Sequence, residues 1–149
     1  MTADEYPIFV AATKAEYAHD IEEHGGQTRA AAVQKAEDDM ASILPQGLET
    51  AGHSVFVLEA DEAAVGRLWL AERPLGGRQV LFIYEISIEA EQRGRGYGRA
   101  AMQLVEEEAH RRGIGRIELN VFGGNDVARS LYRSLGYVET SVQMAKDLS

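Results

Sequence analysis

The sequence predicts an α/β fold of the α+β kind, in which two helices precede a sheet whose last strands alternate with helices. Three observations carry this. Apolar residues recur at roughly helical spacing through the first 44 positions. From His53 the pattern changes to short β-rich runs that culminate in the consecutive apolar residues Val80, Leu81, Phe82, Ile83 and Tyr84, as in a central strand covered on both faces. That run leads into a glycine-rich turn and an amphipathic helix. With 149 residues, 45% hydrophobic and 26% charged, the chain is expected to fold as one domain over residues 1–149, because domains cluster near ~100–150 residues.

The elements follow in order. Thr2 and Glu5 make a capping box, and Ile8, Phe9, Ala12, Ala15 and Tyr17 continue a first helix that His24-Gly25-Gly26 ends. A second helix starts near Thr28 and reaches about Leu44, where Pro45 and Gly47 stop it. Residues 53–60 and 63–70 form a hairpin across Ala60-Asp61-Glu62, residues 73–78 form a loop, and residues 80–88 form the central strand. The turn Gln92-Arg93-Gly94-Arg95-Gly96-Tyr97-Gly98 precedes a helix with Ala100, Ala101, Leu104, Val105 and Ala109 on one face, closed by Gly113. Ile117, Leu119 and Val121 alternate with Glu118, Asn120 and Phe122, as in a half-exposed strand. Asn125 caps a short helix in which Val127, Ala128, Leu131, Tyr132 and Leu135 face inward, Gly136 ends it, and residues 137–146 make a last strand. The order is α-α-β-β-β-α-β-α-β.

Charge and composition exclude several functions. A net charge of −9 argues against nucleic-acid binding, which needs clustered Lys and Arg. The acid is concentrated early: residues 1–90 hold 6 Lys and Arg against 16 Asp and Glu, residues 91–149 hold 9 against 8. An acidic first part can attract a cationic partner, or serve only as solubilising charge. No apolar run approaches the ~18 residues of a membrane span, and no basic-then-apolar opening marks a secretory signal. The absence of cysteine excludes disulfide and thiolate chemistry and fits a reducing cytoplasm, the expected location. His19, His24, His53 and His110 are scattered without metal-ligand spacing, so no metal is expected.

A glycine-rich turn between a buried strand and a helix can cradle phosphate. Glycine lets backbone N–H groups approach an anion, and the helix N-terminus adds partial positive charge. Arg93, Arg95 and Arg99 place cations around Gly94, Gly96 and Gly98. A tight turn with glycines for geometry alone is the other reading. The pattern is Gly-x-Gly-x-Gly, neither a dinucleotide fingerprint nor a triphosphate-binding loop.

These residues resemble the GNAT superfamily of N-acetyltransferases. Arg93, Gly96 and Gly98 fit its acyl-CoA signature, (Gln or Arg)-x-x-Gly-x-(Gly or Ala). The run from Asn125 through Ala128, Leu131, Tyr132 and Gly136 to Tyr137 fits N-x-x-A-x-x-L-Y-x-x-x-G-(F or Y). The likeness covers residues 80–147, leaving residues 1–79 as a variable acceptor-side part. It implies a mixed, mostly antiparallel sheet flanked by helices and an acetyl-CoA-dependent transfer to a primary amine of a small molecule or peptide. The cofactor-binding residues it implies are the backbone around Ile86, Ser87 and Ile88, the loop of Arg93, Gly94, Arg95, Gly96, Tyr97, Gly98 and Arg99, and Asn125. Asn125 also reads as a helix cap. Tyr132 is the implied general acid, or else a core aromatic; a phenol near ~10 can share a proton with a thiolate whose conjugate acid lies near ~8.5.

Glu85 is the first candidate for the base. It shares with Ser87 the strand face opposite Ile86 and Ile88, and an ordinary ion-paired carboxylate is the other reading. Some family members carry a catalytic glutamate where this chain has Asn120, which leaves Glu118 as the other carboxylate on that strand. Members also open with a short strand for which residues 1–4 leave almost no room, so that strand is expected to be missing or very short, exposing its neighbour as an edge. Tyr6, Phe9, Tyr17 and Trp69 could line an acceptor pocket or pack the core, and His24-Gly25-Gly26 could be a lid or a plain connection. A non-catalytic acyl-CoA sensor of the same fold is the alternative function, and a homodimer is a possible assembly.

Overall fold

The computed structural model describes all of residues 1–149. Residues 1–5 contain turns and no strand, and the chain enters α1 (Tyr6–His24) directly. Thr2 and Glu5 bond reciprocally, the Thr2 amide donating to Glu5 Oε2 at 2.7 Å and the Glu5 amide to Thr2 Oγ1 at 3.3 Å. Thr28 caps α2 (Arg29–Ile43), its hydroxyl accepting from the Ala31 amide at 3.3 Å. The two helices meet through Ala18, Ile21, Ala32 and Ala36, mostly small side chains that allow close approach.

Strands β1 (His53–Ala60), β2 (Ala63–Leu75), β3 (Arg78–Ile88) and β4 (Ile117–Leu119) lie in that order in one sheet. The first three are antiparallel, and β4 joins parallel to β3. Asp61 and Glu62 turn the first hairpin at φ 51° and 64°, the left-handed geometry that suits strand twist. Gly76 and Gly77 turn the second, so the loop expected over residues 73–78 shrinks to two residues, with Pro74 paired to Gln79 and Leu75 to Arg78. Pro74 is tolerated because it lies beyond the last β1 pairing, His53 with Ala71, where β2 has a free edge.

Helices α3 (Tyr97–Arg111) and α4 (Asp126–Ser134) lie on one face of the sheet, over Leu68, Leu70, Leu81 and Ile83. Phe9 of α1 and Met40 of α2 cover the other, with Val55 and Trp69. Three expectations are corrected here. The buried face of α3 is Ala101, Met102, Val105 and Ala109, while Leu104 is 53% exposed; at 100° per residue Leu104 falls about 100° from Val105. Val127 of α4 points outward, and Leu131, Tyr132 and Leu135 carry that helix's packing. Residues 137–146 form no strand. Their alternating pattern encodes a strand-forming segment but supplies no neighbour, and pairing needs one.

Gly66 of β2 is packed so tightly that a Cβ there would sit 2.2 Å from the Ser87 carbonyl oxygen and 3.1 Å from Ile88 Cδ1. Gly66→Ala must therefore push β3 aside at its C-terminal end. We expect it to lower stability by about 1–3 kcal/mol, as overpacking does, read as a lower urea midpoint with an unchanged slope.

Candidate active site

The site is organised by a parting of strands. β3 and β4 pair only at Leu81 with Ile117, Phe82 with Glu118 and Ile83 with Leu119. The next residue of β3, Tyr84, is a bulge: Ile83 faces Leu70 and Glu85 faces Trp69, so Tyr84 has no partner on β2. Bulges bend a strand and sharpen its twist, and here the bend begins where β4 departs. Beyond it, the Glu89 amide donates to Val65 on the β2 side at 2.9 Å. By strand alternation Ser87 also faces β2, as its contact with Gly66 requires, so the N–H and C=O of Ile86 and Ile88 point to the vacated side. Their side chains pack on the α3 core.

The glycine loop closes one end of this opening. Gly94 and Gly96 have φ 75° and 84°, and a Cβ on either would meet nothing within 4 Å. They serve conformation and leave open space above the backbone. The first helical bond of α3 is Ala100 N–H to the Gly96 carbonyl at 3.1 Å, so the amides of Tyr97, Gly98 and Arg99 precede any intrahelical acceptor. Gly98 serves packing, its Cβ position lying 3.4 Å from Leu131 of α4. The three arginines differ. Arg93 Nε donates to the Ile88 carbonyl at 3.0 Å, tying loop to strand, and Arg99 donates to Ser134 Oγ at 2.7 Å, tying α3 to α4. Arg95 is exposed.

Helix α4 completes the α3 side. Asn125 Oδ1 accepts from the Ala128 amide at 3.2 Å, which leaves its NH₂ group for another partner. Tyr132 packs against the same core as Ile86, Ile88 and Tyr97, and burial raises its phenol above the usual value. Tyr137 lies beside it, ring centroids 5.9 Å apart; its hydroxyl is buried without a partner, and burial, with the charge of Glu106, pushes it up to about 12.

On the opposite face the bulge turns Tyr84 and Glu85 toward the N-terminal helices. Tyr84 stacks on Trp69 at 4.6 Å. Glu85 accepts from Arg67 Nε at 3.2 Å and from its second terminal nitrogen at 2.9 Å, and it takes the Thr13 hydroxyl on its other oxygen. Arg67 also reaches Glu16 at 2.6 Å and Glu89 at 3.0 Å. Burial raises the Glu85 carboxyl, and Thr13 and Arg67 offset part of that rise. One guanidinium thus faces three carboxylates. Ser87, expected near the cofactor, instead donates to both oxygens of Glu16, at 2.8 and 3.0 Å. Its backbone faces β2, so it is turned away from the opening.

The sequence reading named Glu85 as a candidate and did not anticipate its contacts with Arg67 and Thr13, or the link through Arg67 to Glu16. The available signal was Arg67 itself, a cation between Val65 and Leu68 in the apolar part of β2. Glu118 is held by Arg116 at 2.6 Å, and Asn120 is exposed. Phe9 and Trp69 are core residues, with Tyr6 partly buried against them, and Tyr17 donates to Asp39 at 3.0 Å. His24 packs on Phe122 with centroids 5.9 Å apart, docking the α1–α2 connection over the residues that follow β4. A shallow polar depression of about 360 Å³, lined by Glu72, Arg78, Gln79, Arg112 and Arg116 among others, lies at the far end of α3 and takes no part in this site.

Comparison with known proteins agrees with this geometry. The family model described as the acetyltransferase (GNAT) family matches residues 16–137. The chain is 32% identical over 149 residues to the uncharacterized N-acetyltransferase YycN of Bacillus subtilis (strain 168), covering 99% of this chain and 96% of that one. It is 30% identical to YdgE of the same organism, another uncharacterized N-acetyltransferase, over 99% and 95% of the two chains. The crystal structure of YycN superposes with a TM-score of 0.95, covering 100% of this chain and 96% of that one.

The Arg67 cluster carries a prediction with a definite sign. Arg67→Ala leaves Glu16, Glu85 and Glu89 uncompensated, which should cost roughly 3–5 kcal/mol. In that variant Glu85 loses the cation that offsets its burial, so its folded-state carboxyl moves further above the unfolded ~4.3. The added cost is then fully present above that raised value and relieved as pH falls toward ~4.3. Urea unfolding should show a larger loss at pH 8 than at pH 5. Equal losses would mean that Arg67 acts through packing alone.

Proposed function

We propose that this chain, a member of the acetyltransferase (GNAT) family, transfers an acetyl group from acetyl-CoA to the primary amine of a small molecule or peptide by direct attack. The observation that carries this reading is the vacated edge of β3, where Ile86 and Ile88 offer backbone groups next to the free amides that open α3. An extended amide-containing chain ending in a thioester suits the first, and a pyrophosphate suits the second. The fit is also steric, because Gly94 and Gly96 leave open space above the loop.

In this reading the pyrophosphate binds the amides from Gly94 to Arg99, with Arg95 as the mobile cation. The pantetheine arm lies along Ile86 and Ile88 and meets the Asn125 amide. The Ile88 N–H polarises the thioester carbonyl. The amine nitrogen forms the C–N bond, the C–S bond breaks, the departing thiolate takes a proton from Tyr132, and the proton that the nitrogen sheds as it becomes an amide restores the Tyr132 phenol. A phenol near ~10 is protonated at neutral pH, and burial raises this one further. The ammonium proton passes to the carboxylate cluster. Glu85 is the base within it, and Glu16, more exposed and on the same guanidinium, relays the proton from the solvent side. The products are an N-acetyl amine and free CoA. Three carboxylates against one guanidinium favour a cationic acceptor, drawn in as ammonium and deprotonated on arrival.

The chain has no cysteine, so a thiol reagent reads released CoA without background from the protein. Acetyl-CoA with a panel of diamines, amino acids and peptide N-termini should give amine-dependent thiol release. Tyr132→Phe should lower kcat by about 10²–10⁴ and leave KM for acetyl-CoA nearly unchanged. Bound acetyl-CoA with no release for any amine would favour a sensor over an enzyme, and full activity in Tyr132→Phe would remove Tyr132 as the acid.

A further inference from the structure

Helix α1 touches both sides of the opening. On one side the Thr13 hydroxyl donates to Glu85 and Ser87 donates to Glu16, which pins α1 to β3 beyond the bulge. On the other side His24, the last residue of α1, lies against the segment that follows β4. Thr13 and His24 stand eleven positions apart. At 100° per residue that is three turns and about 20°, so the two share one face of the helix, roughly 16 Å apart.

The contact at His24 is close. Its ring lies on Phe122 with 31° between the planes, and its side chain is 20% exposed. Phe122 in turn packs on the α1–α2 core of Ala18, Ile21, Ala32 and Ala36. A Cβ on Gly124 would sit 2.7 Å from His24 Nδ1 and 3.2 Å from Cε1. The Gly124 backbone is not left-handed, so this glycine supplies room for the imidazole and not a turn. Glu23 stands 3.7 Å from the other ring nitrogen, within the same last turn of α1.

The segment held in this way carries Asn125. Its own hydrogen bonds are local: the Asn125 amide donates to the Phe122 carbonyl at 3.0 Å, the Asp126 amide to Gly124 at 3.0 Å, and Arg129 to Gly123 at 2.7 Å. They shape the turn and the start of α4 without fixing its distance from β3. Leu131, Tyr132 and Leu135 anchor α4 to the core, one to three turns beyond Asn125. The near end rests on α1.

We propose that His24 is a positioning residue: through Phe122 and Gly124 it fixes the Asn125 amide across the opening from Ile86 and Ile88, so that α1 acts as a strut between the two sides. This assignment rests on the acyl-CoA reading of the opening and adds to it a residue from the N-terminal helices. Its consequence is a coupling, because an imidazole on α1 controls the affinity for a ligand that it does not touch.

Isothermal titration of CoA into the full chain, with urea unfolding of the same samples, tests it. His24→Ala and Gly124→Ala should each raise the CoA Kd about 3–10-fold, the worth of one hydrogen bond. Both act on one contact, so the double variant His24→Ala/Gly124→Ala should bind no worse than either single variant, whereas independent effects add. A purely structural ring would lower the urea midpoint and leave the Kd of the folded protein alone. If Gly124→Ala does not fold, recovery of the fold in the double variant reads the same clash, and the Kd of His24→Ala still decides. An unchanged Kd in His24→Ala, or losses that add in the double variant, would overturn the proposal and leave the CoA site standing. No CoA binding by the unaltered chain would instead overturn the acyl-CoA reading, and this assignment with it.

Discussion

A strand inside a sheet must satisfy its backbone on both sides, and β3 stops doing so at one residue. From Leu81 to Ile83 it has β2 on one side and β4 on the other; from Tyr84 onward it keeps only β2. The bulge at Tyr84 sits at the change and is held from both ends. Tyr84 is stacked on Trp69, and Glu85 is locked to Arg67 and Thr13. Straightening the strand would break a buried aromatic contact and a nearly buried ion pair together. The vacancy beside Ile86 and Ile88 is therefore a stable property of the fold, and the loop, α3 and α4 are placed around it.

The two faces of the sheet divide the work. On the α3 side the surroundings are apolar and tight, and the glycines differ in purpose: Gly94 and Gly96 supply left-handed backbone, while Gly98 lets α4 approach α3. The α1 side is where charge is concentrated, three carboxylates about one guanidinium. This cluster braces α1 against β2 and β3 and gives the site a negative field. Glu85 belongs to both regions, because the bulge that opens the edge also aims Glu85 at Arg67. In the proposed reading structural and chemical roles coincide in that residue, so pH-dependent stability and activity must be measured together in any variant of it.

Much of the fold was legible in the sequence wherever local chemistry decides the outcome. Thr2 with Glu5, Thr28 and Asn125 each announce a helix start through a hydrogen bond made within three residues. The glycine turn after the apolar strand announced the loop. What was not legible depends on distant partners. The bulge carries no glycine or proline, and Trp69 and Arg67, which hold it, lie on another strand. β2 runs through Pro74 because β1 has already ended there. Residues 137–146 have the alternation of a strand but no neighbour to make them one. In the candidate site, strand alternation put Glu85 and Ser87 on one face, but it does not say which side keeps its partner, so the bond from Ser87 to Glu16 was not legible.

The claim on which the functional reading rests is that the opening beside β3 and the amides of α3 form one acyl-CoA site. A thermal-shift series with acetyl-CoA, CoA, NAD and ATP measures this most directly. Ligand at about 100 times its Kd should stabilise by ~2.7 kcal/mol, several degrees for a chain of this size. The expected result is a shift with acetyl-CoA and CoA, none with NAD or ATP, and loss of the CoA shift when Gly96→Val disturbs the left-handed turn. No shift with either CoA compound, at concentrations well above micromolar, would contradict it and leave a family fold without the family's ligand.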